Sequence, residues 1–167
     1  MKLELLKKKF KGKKILITGN TGFVGSWLTI LLNLLGAKIL GYSLKKKDTR
    51  FLSNTRQFKK KIKTIYSDIN SFDKNLNKIK KFKPEIVIHL ASQPLVLDSY
   101  NNTKKTYYTN VMGTVNFFET IKKIKSISKV IVFTSDKVYR NLEGKILNEE
   151  SNLGGIDPYS ASKSCQD

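Results

Sequence analysis

The sequence predicts an α/β fold of the Rossmann-like, doubly wound type, in which helices cover a parallel sheet. Two observations lead to this prediction. Short apolar runs alternate with helical patterns along the chain, and continuous apolar runs are typical of strands buried on both faces of a parallel sheet. In addition, three glycines spaced three residues apart follow the first of these runs, at Gly19, Gly22 and Gly25. The 167 residues are enough for one domain with a sizeable core.

Five strands and at least four helices are predicted in chain order. The strands are expected at residues 14–18, 37–42, 63–66, 85–90 and 129–134. The helices are expected at residues 23–35, 71–82, 107–125 and from Pro158 onward. Gly36 is expected to end the first helix and Ser71 to cap the second, because these residue types favour those positions. The stretches 43–61 and 139–157 are predicted to be mainly loop, with some helix in the first.

The formal net charge of +19 raises the question of nucleic-acid binding. Of the 32 basic residues 29 are lysines, spread over many segments, and only three are arginines. Bidentate phosphate and base contacts favour arginine, whereas an excess of Lys, Asn and Ile is typical of an AT-rich coding sequence. We therefore predict no specific nucleic-acid partner.

The chain also shows no sign of membrane insertion or export. No apolar run approaches the roughly 20 residues that span a bilayer. Residues 1–14 alternate lysines with single leucines and lack the apolar core and cleavage site of a signal peptide. A lone cysteine, Cys165, cannot form an internal disulfide. A cytoplasmic location is the expectation.

The glycines lie where the first strand ends and the first helix begins. The N–H groups at a helix N-terminus attract an anion, and glycines let the backbone turn tightly and approach a pyrophosphate. This context predicts a dinucleotide site. An acidic residue that would hold the ribose is missing at the end of the second strand, where Ser43 stands, so this position does not decide between NAD and NADP. Asp68 is a candidate contact to the adenine, or alternatively a turn or cap residue.

A candidate catalytic group follows the fifth strand. Tyr159 and Lys163 are four residues apart, which places them on the same face of a helix. An ammonium beside a phenol favours the phenolate, and such a tyrosine can take a proton from a substrate hydroxyl. Ser135, at the end of a neighbouring strand, can bond to the same oxygen.

Together these motifs resemble those of a known family, the extended short-chain dehydrogenase/reductases, and within it the CDP-glucose 4,6-dehydratases. The matching stretches run nearly from end to end: FKGKKILITGNTGFVGSWL, LGAKILGYSL, SDI, HLASQPLV, SY, TNVMGTVNFFE, TSDKVY and LGGIDPYSASK. The piece TSDK discriminates, because related dehydratases that act on dTDP-glucose typically carry Thr-Asp-Glu there.

The resemblance implies roles for the catalytic residues. Tyr159, helped by Lys163 and Ser135, would take the proton of the sugar 4-hydroxyl while a hydride leaves C4. Asp136 would protonate the departing 6-hydroxyl, and Lys137 would assist at C5. The product would be a 4-keto-6-deoxy sugar nucleotide, and the full-length form is expected to be a homo-oligomer that needs no metal.

The resemblance also implies NAD as the cofactor. The residues expected to bind it are Gly19, Thr21, Gly22, Phe23, Val24, Gly25, Ser43, Asp68, Ile69, Leu90, Ala91, Ser92, Gln93, Tyr159 and Lys163. His89, which ends an apolar strand, is interpreted as structural.

Some positions depart from the family pattern and leave alternatives open. Asn20 stands where the family has His, Val24 where it has Lys and Leu97 where it has Arg. The alternatives are a sugar-nucleotide 4-epimerase or reductase of the same superfamily, and a non-catalytic nucleotide-binding module. The pair Asp136-Lys137 argues against an epimerase, which needs no acid for a 6-hydroxyl. Because the family builds its sugar site after the Tyr159 helix, residues 1–167 are expected to be an incomplete domain and inactive alone.

Overall fold

The computed structural model describes residues 3–45, 62–140 and 146–167. The described residues form a five-stranded sheet, in which all neighbouring strands are parallel and the order is β3-β2-β1-β4-β5. The strands are β1 (Lys14–Thr18), β2 (Lys38–Ser43), β3 (Lys63–Tyr66), β4 (Ile86–His89) and β5 (Lys129–Val132). This confirms the predicted fold class, and each strand lies within about two residues of its predicted place.

Seven α-helices lie within the described ranges. They are α1 (Leu3–Phe10), α2 (Phe23–Leu34), α3 (Leu76–Phe82), α4 (Val96–Asn101), α5 (Thr103–Tyr107), α6 (Gly113–Ile121) and α7 (Pro158–Ser164). A π-helical segment, Tyr108–Met112, joins α5 to α6. Three short 3₁₀ turns complete the described part, at Ile69–Ser71, Asp73–Asn75 and Asp136–Val138.

The alternation of side chains along the central strand β1 divides the core into two clusters. Leu16 belongs to a cluster that also contains Phe72 and Phe117, on the side of α3 and α6. Ile15 and Ile17 belong to the other cluster, on the side of α1 and α2. All three β1 side chains are fully buried. Both faces of the sheet are therefore covered at its centre, as expected for a doubly wound fold.

The edge strand β5 differs from the centre. Val130 and Ile131 are 39% and 47% exposed, and Phe133, just after the strand, is 43% exposed. The apolar run that predicted this strand therefore does not correspond to burial in the described structure.

Some sequence predictions need correction. Ser71 does not cap a helix: it ends a 3₁₀ turn whose cap is Asp68, and α3 begins only at Leu76. The helix expected at 107–125 begins and ends earlier, at Thr103 and Ile121, and contains the π segment. Helices α1 and α4 were not predicted. The expected loop at 43–61 lies mostly outside the described residues.

Across the described ranges, no helix has the length and apolar character required to cross a bilayer.

Candidate active site

The three glycines of the turn between β1 and α2 serve two purposes. Gly19 has a φ of 71°, and a Cβ there would lie 2.8 Å from the carbonyl carbon of Leu90. A Cβ on Gly25 would lie 2.1 Å from the carbonyl oxygen of Gly19. At Gly22, the N-cap of α2, a Cβ would meet only that same oxygen, at 3.2 Å. Gly19 and Gly25 thus allow backbone to pack on backbone, while Gly22 keeps the helix N-terminus open to a ligand.

A cavity of about 310 Å³ lies against this turn, at the carboxyl ends of the strands. In open parallel sheets this is the edge at which ligands bind. Its lining includes every residue predicted to bind the cofactor except Gln93: Gly19, Thr21, Gly22, Phe23, Val24, Gly25, Ser43, Asp68, Ile69, Leu90, Ala91, Ser92, Tyr159 and Lys163. The structure therefore brings together residues that are far apart in the sequence.

Gln93 lies beside the cavity and has a local role. Its side-chain amide donates to the Leu95 carbonyl and the Asp98 carboxylate, and its side-chain oxygen accepts from the Leu95 N–H. Its backbone N–H is held by Asn110. The Gln93 side chain thus supports the loop after β4 and is absent from the cavity lining.

The end of β2 is uncharged, as the sequence indicated. The Ser43 and Thr21 hydroxyl oxygens are 2.6 Å apart, which joins this strand end to the glycine turn. The carboxylate of Asp68 accepts from the N–H and the side-chain amide of Asn70, each at 2.9 Å. Asp68 therefore acts as a cap and lines the cavity at the same time, so both readings of this residue fit its position.

Helix α7 carries the Tyr159 and Lys163 pair to the cavity. The helix starts at Pro158, and the Asp157 side chain caps it by accepting from the Ser160 N–H. Lys163 is 2% exposed, and its ammonium donates to the Phe133 carbonyl at 2.8 Å and to the side-chain oxygen of Gln166. Burial lowers the pKa of Lys163 to about 8, against an opposing effect of the Asp167 carboxylate.

The residues after β5 are divided between two cavities, since Phe133 and Thr134 line the cavity that Lys163 lines. Asp136 and Lys137 are exposed and line a second cavity of about 190 Å³, whose wall includes Ser160. The Ser135 hydroxyl donates to the Asp136 carboxylate at 3.0 Å and accepts from the Lys137 N–H at 3.2 Å. The predicted catalytic residues thus fall into two groups, Tyr159 with Lys163 and Asp136 with Lys137, and Ser135 lines neither cavity.

Sequence reasoning missed several residues that hold this arrangement. The Ser99 hydroxyl accepts from the Tyr159 N–H at 3.1 Å and so ties α4 to α7. The Asn110 amide donates to the Ser162 hydroxyl and to the Gln93 carbonyl. Both residues fall in stretches that matched the resembled family, SY and TNVMGTVNFFE, which was the available signal.

No group of three or more His, Cys, Asp or Glu side chains is placed to hold a metal ion within residues 3–45, 62–140 and 146–167.

Comparison with known proteins matches residues 16–167 to the model of one family, described as GDP-mannose 4,6 dehydratase. The chain belongs to this family. One relative is the CDP-glucose 4,6-dehydratase of Salmonella typhimurium (strain LT2), which is 44% identical over 157 residues, a match that covers 93% of this chain and 44% of the relative. The family assignment confirms the resemblance seen in the sequence.

Solved structures extend the likeness to three dimensions. The UDP-Glc/GlcNAc 4-epimerase of Campylobacter jejuni superposes with a TM-score of 0.80 at 26% identity, over 93% of this chain and 47% of the epimerase. MoeE5 in complex with UDP-glucuronic acid and NAD gives 0.76 at 25% identity, over 92% and 46%. The chain thus spans less than half the length of each of these proteins.

Proposed function

We propose that this chain is the cofactor-binding part of an NAD-dependent sugar-nucleotide 4,6-dehydratase that converts CDP-glucose to CDP-4-keto-6-deoxyglucose. One observation supports this most directly: Tyr159 and Lys163 line the same cavity as the glycine turn, and Asp136 lines a second cavity whose wall includes Ser160, the residue next to Tyr159. The 44% identity to a CDP-glucose 4,6-dehydratase supports the substrate.

Of these two cavities, the larger one, against the glycine turn, has a lining that fits NAD. Gly22 leaves room for a pyrophosphate beside the N-terminus of α2, and the uncharged Ser43 and the Asp68 carboxylate lie where a ribose and an adenine are held in such folds. NAD supplies the hydride acceptor at C4 and the hydride donor at C6. The complex of MoeE5 with NAD and a nucleotide sugar supports this choice of ligands.

Protein side chains accept and donate the protons in the proposed reaction. Tyr159 is the proposed acceptor of the sugar 4-hydroxyl proton, and the Lys163 ammonium would stabilise the phenolate form that accepts it. The resulting 4-ketone acidifies the C5 proton. Lys137 is the proposed acceptor of this C5 proton. Asp136 gives a proton to the departing 6-hydroxyl, so that water leaves and a C5–C6 double bond forms. The exposure of Asp136 and Lys137 supports the further proposal that residues 1–167 alone do not hold the sugar productively.

A chimera tests this function. Residues 1–167 are fused to the part of the Salmonella typhimurium relative that lies beyond the match, and the chimera is incubated with NAD and CDP-glucose. We expect a keto product, which gains near-ultraviolet absorbance in alkali, and no product from residues 1–167 alone. The Tyr159→Phe chimera should be about a hundred- to ten-thousand-fold slower. Formation of a 4-epimer would favour the epimerase alternative, and NAD binding without turnover would favour a non-catalytic module.

The proposed full-length protein is a homo-oligomer. Tyr108, Met112, Val115 and Phe118 form an exposed stripe along the π segment and α6, and each of these side chains is between 41% and 57% exposed. An apolar stripe of this kind is typical of a helix that packs against a partner. Light scattering on the chimera measures its mass and would contradict the proposal if only monomers were present.

A further inference from the structure

A buried chain of hydrogen bonds connects the back of the larger cavity with Lys163. It begins at Thr18, the last residue of β1, whose hydroxyl oxygen accepts from the N–H groups of Leu90 and Ala91, each at 3.1 Å. The Leu90 N–H also reaches the Thr18 carbonyl, at 3.2 Å. Two accepted bonds occupy both lone pairs of a hydroxyl. The single proton of the Thr18 hydroxyl must therefore point to its third partner, the Nδ1 atom of His89, at 2.8 Å.

This geometry determines the state of the His89 ring. Because Nδ1 accepts a proton from Thr18, it carries none itself, and the ring is the neutral tautomer with its hydrogen on Nε2. That N–H faces the hydroxyl oxygen of Thr114 at 3.2 Å. His89 is 1% exposed and stacks on Phe117, with ring centroids 4.2 Å apart, so the ring cannot turn freely.

Thr114 joins the histidine to the helix of the catalytic pair. Its hydroxyl donates to the Asn110 carbonyl at 2.7 Å, which leaves its oxygen to accept from His89 and from the side-chain amide of Gln166, at 2.8 Å. The nitrogen of the Gln166 amide is thereby directed to Thr114. Its oxygen then faces the Lys163 ammonium, which donates to it.

We propose that Gln166 is a positioning residue for Lys163, and that the chain Thr18–His89–Thr114–Gln166 aligns the Lys163 ammonium with the strand ends that form the cavity. Each bond in the chain has one direction only, because every donor and acceptor in it is already assigned. Lys163 thus keeps an oriented acceptor while buried. This inference rests on the proposed role of Lys163 beside Tyr159.

The charges around Lys163 agree with this arrangement. The titratable groups that interact with its ammonium are His89 from β4 and the Asp167 carboxylate, and Tyr159 from its own helix lines the same cavity. Burial, and to a lesser extent the charge of Lys163, lower the pKa of His89 to about 3. The histidine therefore adds no second positive charge beside Lys163 near neutral pH.

The first test uses the fact that His89 is the only histidine of the chain. In protein labelled with ¹⁵N-histidine, the nitrogen shifts at pH 7 should show one neutral ring with its proton on Nε2. A proton on Nδ1, or a charged ring at this pH, would overturn the proposed hydrogen-bond chain.

The second test measures Lys163 directly. The rate of acetylation of Lys163 by a trace of anhydride is followed against pH by mass spectrometry, which needs neither NAD nor a sugar. In Gln166→Met, which keeps the length but removes the acceptor, the midpoint should fall by about one pH unit. In Gln166→Glu a carboxylate faces the ammonium, so the midpoint should rise by about one pH unit. A merely structural role would not move the two variants in opposite directions.

The control and the contrary results are well defined. Ser164→Ala alters a residue of the same helix that bonds to Val138 and Ser160 instead, and it should leave the midpoint unchanged. Equal midpoints in wild type and both Gln166 variants would refute the positioning role. If Gln166→Met does not fold, the wild-type histidine spectrum and the midpoint of Gln166→Glu still test the positioning role of Gln166. Failure of the chimera to bind NAD would refute the proposed function without changing these results.

Discussion

The carbonyl oxygen of Gly19 lies 2.1 Å from the point where a Cβ on Gly25 would stand. The first turn of α2 therefore packs on the glycine turn with no space for a methyl group. The clashing atom, the Gly19 carbonyl oxygen, is part of the backbone and cannot change rotamer to make room. This contact places the N-terminus of α2 at the cavity.

Gly25→Ala is accordingly expected to lower the free energy of unfolding by about 1–3 kcal/mol, the usual range for overpacking. Urea denaturation followed by circular dichroism measures this change. Gly22→Ala is the matched control, because its Cβ would meet only one atom, at 3.2 Å. It should lower the free energy of unfolding by less than half as much as Gly25→Ala does. Equal losses in the two variants would contradict this account of the turn.

Gly22→Val should fold but lose NAD binding. The φ of Gly22 is −72°, which valine adopts without strain, and its side chain would project into the larger cavity, where the pyrophosphate is expected. Calorimetry on the chimera measures the NAD affinity, with circular dichroism as the check of folding. A folded variant that retains the wild-type affinity would show that NAD binds elsewhere.

Asp136→Asn should separate the two chemical stages in the chimera. Oxidation at C4 relies on Tyr159 and Lys163, in the other cavity, so it should proceed and reduced nicotinamide should accumulate. Loss of water should slow by about a hundredfold or more, the usual effect of removing a general acid. Rapid mixing with absorbance detection follows both stages. Turnover at the wild-type rate would rule out Asp136 as the acid.

Acidification should destabilise the fold through His89. Its pKa is lowered to about 3 in the folded protein from an ordinary value of 6.5, so below pH 6.5 the unfolded chain takes up a proton that the folded chain does not. The stability contributed by the neutral ring is present above pH 6.5 and is lost as the pH falls toward 3. The slope from this group approaches about 1.4 kcal/mol per pH unit.

Urea denaturation between pH 4 and 7 measures this dependence. His89→Asn removes the titrating ring, and although it should be less stable throughout, its stability should vary less with pH by about that slope. Parallel curves for the two proteins would mean that His89 becomes charged in the folded state.

The central strands were predictable from the sequence because their burial on both faces requires continuous apolar runs, as at Ile15, Leu16 and Ile17. The cavity was predictable because the glycine turn and the pair on α7 are motifs with fixed spacing. Helix α1 was not predictable, because Leu6 and Phe10 are stabilised by packing against a core cluster from distant parts of the chain.

Other features depend on contacts between distant residues. The π segment contains Asn110, whose bonds to Gln93 and Ser162 join three parts of the chain, and no local pattern indicates it. Asp136 and Lys163 line different cavities, and the sequence did not show this because the two residues lie on separate elements, the 3₁₀ turn after β5 and helix α7. The part played by Gln166 likewise appears only when Thr114 is placed beside it.

The exposure of Val130, Ile131 and Phe133 on and after β5 means that two opposing forces act between two copies of the chain in solution, apolar attraction and charge repulsion. The net charge of +19 drives them apart, but this repulsion reaches only about 10 Å at 0.1 M salt and about 3 Å at 1 M. The attraction between apolar strand surfaces is not weakened by salt in this way. Added salt should therefore cause the protein to aggregate, which is seen as turbidity. Ionic strength is thus the first condition to control in handling the protein.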